Sequence, residues 1–189
     1  MDPTLAMDPA AVGARADVSV ARAFDDAFGA LFDAHFARVF RLLDRLTGDA
    51  ELASDVAQEA FMSLYARGAL PDRPQAWLIT VALNRMRNAQ SKRRRRARLL
   101  SAVRAENVQA DAAPLPGASG SAERARARAR RALDRLSERE RQLLLLHAEG
   151  YAYRDIAQAL DMRESSVGTS IARARAAFRA AYDGGADAT

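Results

Sequence analysis

The stretch YRDIAQALDMRESSVGTSIARARAAFR, residues 153–179, contains two helical patterns separated by a short turn at residues 161–162. Apolar residues recur at three- and four-residue steps on both sides of the turn, which predicts two helices that each bury one face. Helices joined by so tight a connection pack crosswise and present the start of the second helix to the DNA major groove. We therefore predict a helix-turn-helix. Its buried positions are Ile156, Ala157, Leu160, Val167 and Ile171.

The alternative for this stretch is an ordinary helical hairpin with no role in DNA binding. Three arginines on the second helix favour DNA, because guanidinium groups supply contacts to phosphate oxygens. They are Arg173, Arg175 and Arg179.

The rest of the chain repeats the helical period and shows no strand pattern. One predicted helix follows Asp49, whose side chain can cap it. The next starts at Pro74, because the first residue of a helix makes no intrahelical hydrogen bond through its N–H and Pro lacks that group. The motif SERE at residues 137–140 matches a capping box. We therefore predict an all-α fold. The expected helices span residues 28–46, 50–67, 74 into a basic stretch, 123–136, 138–149, 153–160 and 164–182.

Residues 107–121, NVQADAAPLPGASGS, separate two helical parts of the chain. The segment has two Pro, two Gly and no periodic apolar face, which is typical of a linker. The N-terminal residues carry Pro, Gly and many Ala without a steady period, so we expect them to be flexible. The predicted organisation is a flexible N-terminal extension 1–22, a helical domain 23–104, a flexible linker 105–122, a second helical domain 123–183 and a tail 184–189.

The composition excludes several classes of protein. The chain has 189 residues, of which 49% are hydrophobic and none is Cys, so it has neither a disulfide framework nor a Cys-based zinc site. No apolar run approaches the roughly 18 residues that span a bilayer, and the N-terminus lacks the basic and apolar parts of a secretion signal. We therefore expect a cytoplasmic protein. The sequence pI of about 10.3 favours polyanionic partners.

The histidines do not indicate enzyme chemistry. His35 lies on the apolar face of the first helix, where we expect a core or boundary role. His147 lies in the last turn before Gly150, where the helix dipole favours a cation. The sequence offers no nucleophile–base pair, Gly-rich phosphate loop or metal-ligand cluster. We expect neither catalysis nor a cofactor nor a metal.

Positive charge is concentrated in NRMRNAQSKRRRRARLL, residues 84–100. From Arg85 through Arg104 there are nine Arg or Lys and no Asp or Glu, against a net charge of +5 for the whole chain. A solvated run and a nuclear-localisation tract are the alternatives. Because the same helix carries Trp77, Asn84 and Arg87, we predict instead a continuous strip, with aromatic and amide groups near bases and guanidinium groups along phosphates.

A polar stripe lies on the predicted helix 50–67, offset by about one residue from its apolar stripe. Polar residues at this spacing are usually a solvated helix face. The alternative is a surface for a protein partner. The stripe consists of Asp55, Gln58, Glu59 and Met62.

The two domains in this order resemble the extracytoplasmic-function group of bacterial RNA polymerase sigma factors. LTGDAELASDVAQEAFMSLY followed by AWLITVALNRMRN, residues 46–65 and 76–88, resembles their region 2. ALDRLSERERQLLLLHAEGYAYRDIAQALDMRESSVGTSIARARAAF, residues 132–178, resembles their region 4. The resemblance covers residues 28–182 apart from the linker. A helix-turn-helix alone occurs in many regulators, whereas the ordered pair with a bare linker is specific.

The resemblance implies a two-domain transcription initiation factor that binds core RNA polymerase and directs it to specific promoters. Region 2 would be a three- to four-helix bundle that recognises and helps to melt the −10 element, and region 4 would read the −35 element. The polar stripe on helix 50–67 would dock on the clamp coiled coil of the polymerase's largest subunit, and the flap region would be a further contact. An anti-sigma factor is another partner that the resemblance suggests.

The resemblance also implies roles for particular residues. In region 2 one or more non-template bases would be captured after strand opening, and since unstacking costs a few kcal/mol per base, a pocket beside a phosphate-binding strip suits this task. The residues expected at the −10 element are Arg73, Trp77, Asn84, Arg87, Lys92, Arg93, Arg94 and Arg95. Those expected at the −35 element are Ser165, Ser166, Thr169, Ser170, Arg173 and Arg175.

Four positions of region 4 depart from the family pattern. Ala152 and Arg163 stand where helix-capping residues are common, and the loss of such a cap typically costs about 1 kcal/mol. Gly168 and Ser170 stand where Lys and Arg are frequent. These departures put the usual −35 preference in doubt, though not DNA binding itself.

Two other functions are compatible with the residues. A stand-alone helix-turn-helix regulator that does not engage polymerase would bind specific duplex DNA as a free chain. A nucleic-acid-coating protein would bind through the basic strip without sequence preference, with a strong salt dependence.

Overall fold

The computed structural model describes the backbone of residues 9–103 and 121–184, and the side chains of residues 21–98 and 123–184. The described residues form helices and no strand, so the predicted all-α class is confirmed. The linker predicted at 105–122 lies largely outside them. The helices are α1 (Pro9–Thr47), α2 (Ala50–Ala66), α3 (Pro74–Val103), α4 (Ser121–Asp134), α5 (Glu138–Ala148), α6 (Tyr153–Ala159) and α7 (Glu164–Asp183).

Helices α1, α2 and α3 form the N-terminal bundle around Phe61. The ring of Phe61 is 2% exposed and meets three phenylalanines of α1, with ring centroids 5.1–6.4 Å apart. Edge contacts between such rings add roughly 0.5–1.5 kcal/mol each to the burial of their area. The phenylalanines of α1 are Phe28, Phe32 and Phe36.

Helices α4 to α7 form the C-terminal domain, in which α6 and α7 are the predicted helix-turn-helix. The turn between them places Asp161 at a φ of 48°, and Met162 donates its N–H to the carbonyl of Ala157 at 2.9 Å. Ile156, Val167 and Ile171 are buried as the sequence predicted.

Most helix ends lie where the sequence predicts them. The Asp49 side chain accepts a hydrogen bond from the N–H of Leu52 at 2.9 Å, which caps α2. Ser137 and Glu140 form the capping box of α5, with each side chain accepting from the other residue's N–H. Helix α3 begins at Pro74.

Helix α1 is longer than expected. It begins at Pro9, so that most of the segment 1–22, predicted to be a flexible extension, is helical in the structure. This part of the chain is rich in Ala, whose high helix propensity needs no apolar period. Residues 1–8 and the tail from 185 onwards lie outside the described residues. In α3 the buried set also includes Ile79 and Leu83, which the sequence analysis did not single out.

The two domains pack against each other. Helix α1 contacts α5, and α3 contacts α6, so the buried side chains of both domains belong to one continuous apolar core. The linker composition had predicted two domains without indicating any contact between them. This packing decides which surfaces of α3 are open to a partner.

We expect replacement of Gly48 by Ala to destabilise the chain by about 1–2 kcal/mol, because Gly48 has a φ of 68° and a side chain in this region clashes with its own backbone. An added Cβ would also lie 3.3 Å from Nη2 of Arg130. Urea unfolding followed by far-UV circular dichroism measures the change.

The matched control is Gly29→Ala within α1, where an added Cβ meets no described atom within 4 Å. Since Gly in a helix interior is less stable than Ala, this variant should gain about 0.5–1 kcal/mol. Equal effects of the two substitutions would contradict the role assigned to Gly48.

Candidate protein and nucleic-acid interfaces

The polar stripe of α2 faces solvent. Asp55, Gln58, Glu59 and Met62 are all exposed, while the neighbouring apolar stripe is buried against α1 and α3. The side chain of Met62 is 70% exposed, which is unusual for a large apolar residue. The structure therefore brings the four predicted residues together on one open surface.

Glu59 is held by an ion pair that the sequence did not reveal. Its Oε2 accepts from Nη1 of Arg85 on α3 at 2.7 Å, and the other terminal nitrogen of Arg85 donates to Oγ of Ser63 at 2.6 Å. Because both partners are partly exposed, the pair contributes little to stability. Its main effect is to orient the Glu59 carboxylate.

An apolar cleft adjoins the stripe. It has a volume of about 500 Å³ and lies between the exposed edge of α2 and the phenylalanines of α1. Tyr65, one turn beyond Met62, is 52% exposed and packs its ring 5.0 Å from that of Phe28. Tyr65 was missed in the sequence analysis, although its i+3 spacing from Met62 was a usable signal. Exposed apolar surface rimmed by polar groups is typical of a protein-binding site.

The face of α3 predicted to read bases is also assembled. Trp77, Asn84 and Arg87 follow one another at spacings that keep them on the same side of the helix. Nη2 of Arg87 donates to Oδ1 of Asn84 at 2.6 Å, so the two polar side chains form one unit. Trp77 is half-buried against the core, and Arg73 is exposed just before the helix.

The basic run continues along α3 with its side chains in solvent. Residues 92–98 are all exposed. Arg93, however, donates to Oδ2 of Asp49, the capping residue of α2. The N–H of Leu52 and the guanidinium of Arg93 together lower the pKa of Asp49. Arg93 thus has an intramolecular role that its position in a charge run did not predict.

The face of α3 that was predicted to read bases is turned towards the C-terminal domain. Thr80, Asn84 and Arg87 line a cavity of about 420 Å³, whose other wall is formed by α5 and the end of α6. A smaller cavity of about 140 Å³ places Arg73 opposite Arg154 and Asp155. The predicted −10 surface therefore has residues of the C-terminal domain in front of it, which periodicity within α3 cannot show.

The residues predicted for the −35 element divide between two sides of α7. Ser165, Thr169 and Arg173 are exposed at four-residue steps and form one strip. The half-buried Ser166 and Ser170 lie beside it. Since each residue turns the helix by about 100°, Arg175 points away from this strip. One surface of α7 therefore carries five of the six predicted residues, and Arg175 lies outside it. The five are Ser165, Ser166, Thr169, Ser170 and Arg173.

The positions of the C-terminal domain that depart from the pattern of the resembled family have visible consequences. The N-cap residues of α6 and α7 are Ala152 and Arg163, and neither makes a side-chain capping hydrogen bond. A Cβ added at Gly168 would lie 3.6 Å from Cε2 of Tyr153, an ordinary van der Waals distance. The site therefore has room for a side chain that passes over the tyrosine ring.

The histidines occupy the positions expected of them. His35 is half-buried, and its Nε2 lies 3.1 Å from Nε2 of Gln75. Burial, followed by the charge of Arg38, lowers the pKa of His35. His147 is in the last turn of α5. In the described part of the chain, no group of three or more His, Cys, Asp or Glu is arranged to hold a metal ion.

None of the described helices combines the length and the apolar composition that a bilayer-spanning segment requires.

Two protein families match the chain in order. The family of Sigma-70 region 2 matches residues 31–96, from α1 into α3, and that of Sigma-70, region 4 matches residues 126–178, from α4 to α7. Together they cover more than half of the chain. A search among curated proteins finds no match.

Solved structures share the arrangement of helices. The sigma factor RpoE from Bartonella quintana, in a complex with the anti-sigma factor NepR, superposes with a TM-score of 0.58 at 20% identity, over 83% of this chain and 97% of that one. CnrH, in a complex with the cytosolic domain of CnrY, superposes with a TM-score of 0.61 at 24% identity, over 88% of this chain and 94% of that one. These likenesses support the fold.

We expect Ala152→Ser to stabilise the C-terminal domain by about 1 kcal/mol, because a serine at an N-cap with extended backbone accepts from a free N–H of the first helical turn. Urea unfolding measures the gain. The same substitution at exposed Ala172, inside α7, is the control and should lower stability slightly, since Ser is a weaker helix former than Ala. A gain at Ala172 as large as that at Ala152 would speak against a missing cap.

Proposed function

This chain belongs to the sigma-70 family of RNA polymerase sigma factors, with the paired regions 2 and 4 of the extracytoplasmic-function group. On this basis we propose which of its surfaces bind the polymerase and which bind promoter DNA during transcription initiation. The family assignment confirms the resemblance found in the sequence, and it makes the chain a factor that directs RNA polymerase to promoters. The reading as a stand-alone regulator is thereby replaced. The roles of individual residues are our proposal.

The stripe Asp55, Gln58, Glu59 and Met62 binds the core enzyme. The observation that carries this proposal is the exposure of all four residues beside an apolar cleft, which together give a partner both charge and apolar area. The arrangement suits the clamp coiled coil of the largest subunit, because an exposed Met and Tyr pack on the apolar side of a helix while the carboxylates pair with its basic residues. A contact of region 4 with the flap region completes the attachment.

Helix α3 and the loop before it read the −10 element. The Arg87–Asn84 pair offers amide and guanidinium groups to base edges, and Trp77 offers an aromatic face next to them. Arg73 and the exposed residues Lys92, Arg94 and Arg95 lie along phosphates. Arg93 contributes only after it leaves Asp49.

The strip on α7 reads the −35 element. Ser165 and Thr169 supply hydroxyl groups to base edges, and Arg173 reaches a phosphate or a guanine. Hydroxyl contacts discriminate bases less than bidentate Arg or Asn contacts do. We therefore assign most of the promoter specificity of this chain to region 2. Arg175, on another side of α7, is assigned to a backbone contact.

The factor works by binding and positioning, without catalytic chemistry or a cofactor of its own, and it acts in the cytoplasm, where core polymerase and promoters are. An anti-sigma factor is a further proposed partner. The complexes of RpoE with NepR and of CnrH with CnrY support this proposal.

The experiment that tests the proposal first is competition between the purified chain and the main sigma factor of the same organism for core RNA polymerase. Tight and mutually exclusive binding is expected. Failure to bind core in the absence of any inhibitor would overturn the assignment of α2.

We expect Asp55→Arg to weaken core binding at least tenfold, because it places a cation where a carboxylate meets basic residues, and close interface charge pairs contribute upwards of about 1.5 kcal/mol. Equilibrium binding to labelled core enzyme measures the loss. Asp26→Arg, an exposed position on α1 opposite Phe28, makes the same charge change and should leave the affinity within about twofold. An equal loss in both variants would refute a specific role for Asp55.

We expect Gly168→Arg to strengthen promoter binding by the holoenzyme and to steepen the log–log salt dependence by about one unit, because it adds one phosphate contact. Gly168→Gln is the matched control, since it gains the same helix propensity without the charge. If the two variants bind alike at every salt concentration, position 168 does not face DNA.

A further inference from the structure

Arg85, the first cation of the basic run on α3, lies apart from the surface proposed to bind DNA. It follows Asn84 directly, and each residue turns the helix by about 100°, so the two side chains leave α3 in different directions. Asn84 and Arg87 line the cavity that faces the C-terminal domain. Arg85 instead contacts Glu59 and Ser63 of α2. The sequence analysis counted Arg85 with the charges of the basic strip, and the structure separates it from them.

Both terminal nitrogens of Arg85 are used on α2. Nη1 donates to Oε2 of Glu59 at 2.7 Å, and Nη2 donates to Oγ of Ser63 at 2.6 Å. The hydroxyl of Ser63 in turn donates to the backbone carbonyl of Glu59 at 2.7 Å. The three residues therefore form a closed network. Because the planar guanidinium group is held at two points, its orientation is fixed more firmly than in a single exposed ion pair.

Burial also distinguishes Arg85 from the later cations of α3. Its side chain is 39% exposed and its Nε atom is buried, whereas residues 92–98 are all exposed. A phosphate contact by Arg85 would require both hydrogen bonds to α2 to be broken first. The exposed cations can contact phosphates without such a loss, so Arg85 is poorly suited to DNA binding.

The network leaves one oxygen of Glu59 open to a partner. Oε2 accepts from Arg85, whereas Oε1 has no hydrogen-bond partner among the described residues, and the side chain is 56% exposed. Glu59 lies between Asp55 and Met62 on the exposed stripe of α2. An unrestrained glutamate loses rotamer freedom when it binds, which lowers affinity. Arg85 reduces this loss, because it selects one direction for the carboxylate before the partner arrives.

The charge of Arg85 has an opposite and smaller effect. A cation next to Glu59 weakens the attraction of its carboxylate for a basic partner. Since both side chains are partly in solvent, water and salt screen this effect. The orientation of Glu59 is not screened, so the net contribution of Arg85 to binding is favourable.

We propose that Arg85 is a positioning residue of the polymerase-binding surface, which holds the Glu59 carboxylate ready for core RNA polymerase and takes no part in binding DNA. This inference rests on the proposed role of the α2 stripe in core binding. Helix α3 thereby serves two partners from different sides. Arg85 supports the polymerase-binding stripe, while Asn84 and Arg87 belong to the side proposed for DNA.

The full chain carrying Arg85→Gln tests the proposal, and Arg95→Gln is the matched control. Arg95 is exposed, lies about three turns beyond Asn84 on the same side of α3, and makes its hydrogen bond to Ser91 within that helix. Equilibrium binding to labelled core enzyme gives the core affinity of each variant. Preassembled holoenzyme, titrated with a promoter fragment at several salt concentrations, gives the log–log salt slope. The fragment is one that the parent holoenzyme selects from a random-sequence pool.

We expect Arg85→Gln to weaken core binding about fivefold, because Glu59 regains its mobility, and to leave the salt slope of promoter binding unchanged. Arg95→Gln removes the same charge and should do the reverse. Its core affinity should stay within about twofold of the parent value, and its salt slope should become shallower by about one unit. A shallower slope in Arg85→Gln would place Arg85 on DNA and overturn the proposal.

A double-mutant cycle with Glu59→Gln tests whether Arg85 acts through Glu59. Once the carboxylate is gone, adding Arg85→Gln should change core affinity by less than about twofold. A further fivefold loss would show that Arg85 acts by another route and would overturn its positioning role. A gain in core affinity in Arg85→Gln alone would overturn it as well, since Arg85 would then compete with the polymerase for Glu59.

The single variants distinguish a failure of this inference from a failure of the proposed function. If Glu59→Gln weakens core binding and Arg85→Gln does not, only the positioning role of Arg85 is refuted. If neither Glu59→Gln nor Asp55→Arg weakens core binding, the assignment of the α2 stripe is refuted, and the role of Arg85 with it.

Discussion

The burial of the apolar stripe of α2 is the constraint from which the N-terminal bundle follows. Phe61 and Leu64 fill the space between α1 and α3, and the small residues Ala57 and Ala60 let the helices approach closely. Because an α-helix turns about 100° per residue, burial of this stripe obliges the adjoining one to face outward. Met62 is exposed for this reason, and not because the local sequence is polar. The candidate core-binding surface is thus a geometric consequence of the fold.

Arginine serves several different purposes in this chain. Arg85 and Arg93 pair with carboxylates of α2 and its cap, while Arg128 stacks on Tyr182 with its guanidinium carbon 4.2 Å from the ring centre and donates to the carbonyl of the same residue at 2.9 Å. That donation falls at the end of α7, where a cation is favoured by the helix dipole. Local charge density therefore does not measure the charge available to DNA. Lys92 and Arg94 are exposed on α3 and form no ion pair with another described residue, so their charges are available.

Helix positions and ends followed from local chemistry, and so they were predictable. The capping side chain of Asp49, the capping box at Ser137 and the proline at the first position of α3 each satisfy or avoid backbone groups within a few residues. The start of α1 was the exception. Its first turns are rich in Ala and have no apolar face. Such a segment forms a helix because Ala has a high helix propensity, and apolar periodicity does not reveal it.

The sequence by itself determined the all-helical class, the helix-turn-helix and the buried and exposed stripes, because each depends on spacings of three or four residues along one helix. The tertiary structure alone decided which stripes meet. Arg45 and Glu149 are 104 positions apart, and neither lies in a pattern that names the other as its partner. Only the packing of α1 on α5 and of α3 on α6 turns the face of α3 proposed to read bases towards region 4. The period of a helix shows which of its sides is apolar, but it does not show which other helix will cover the polar side.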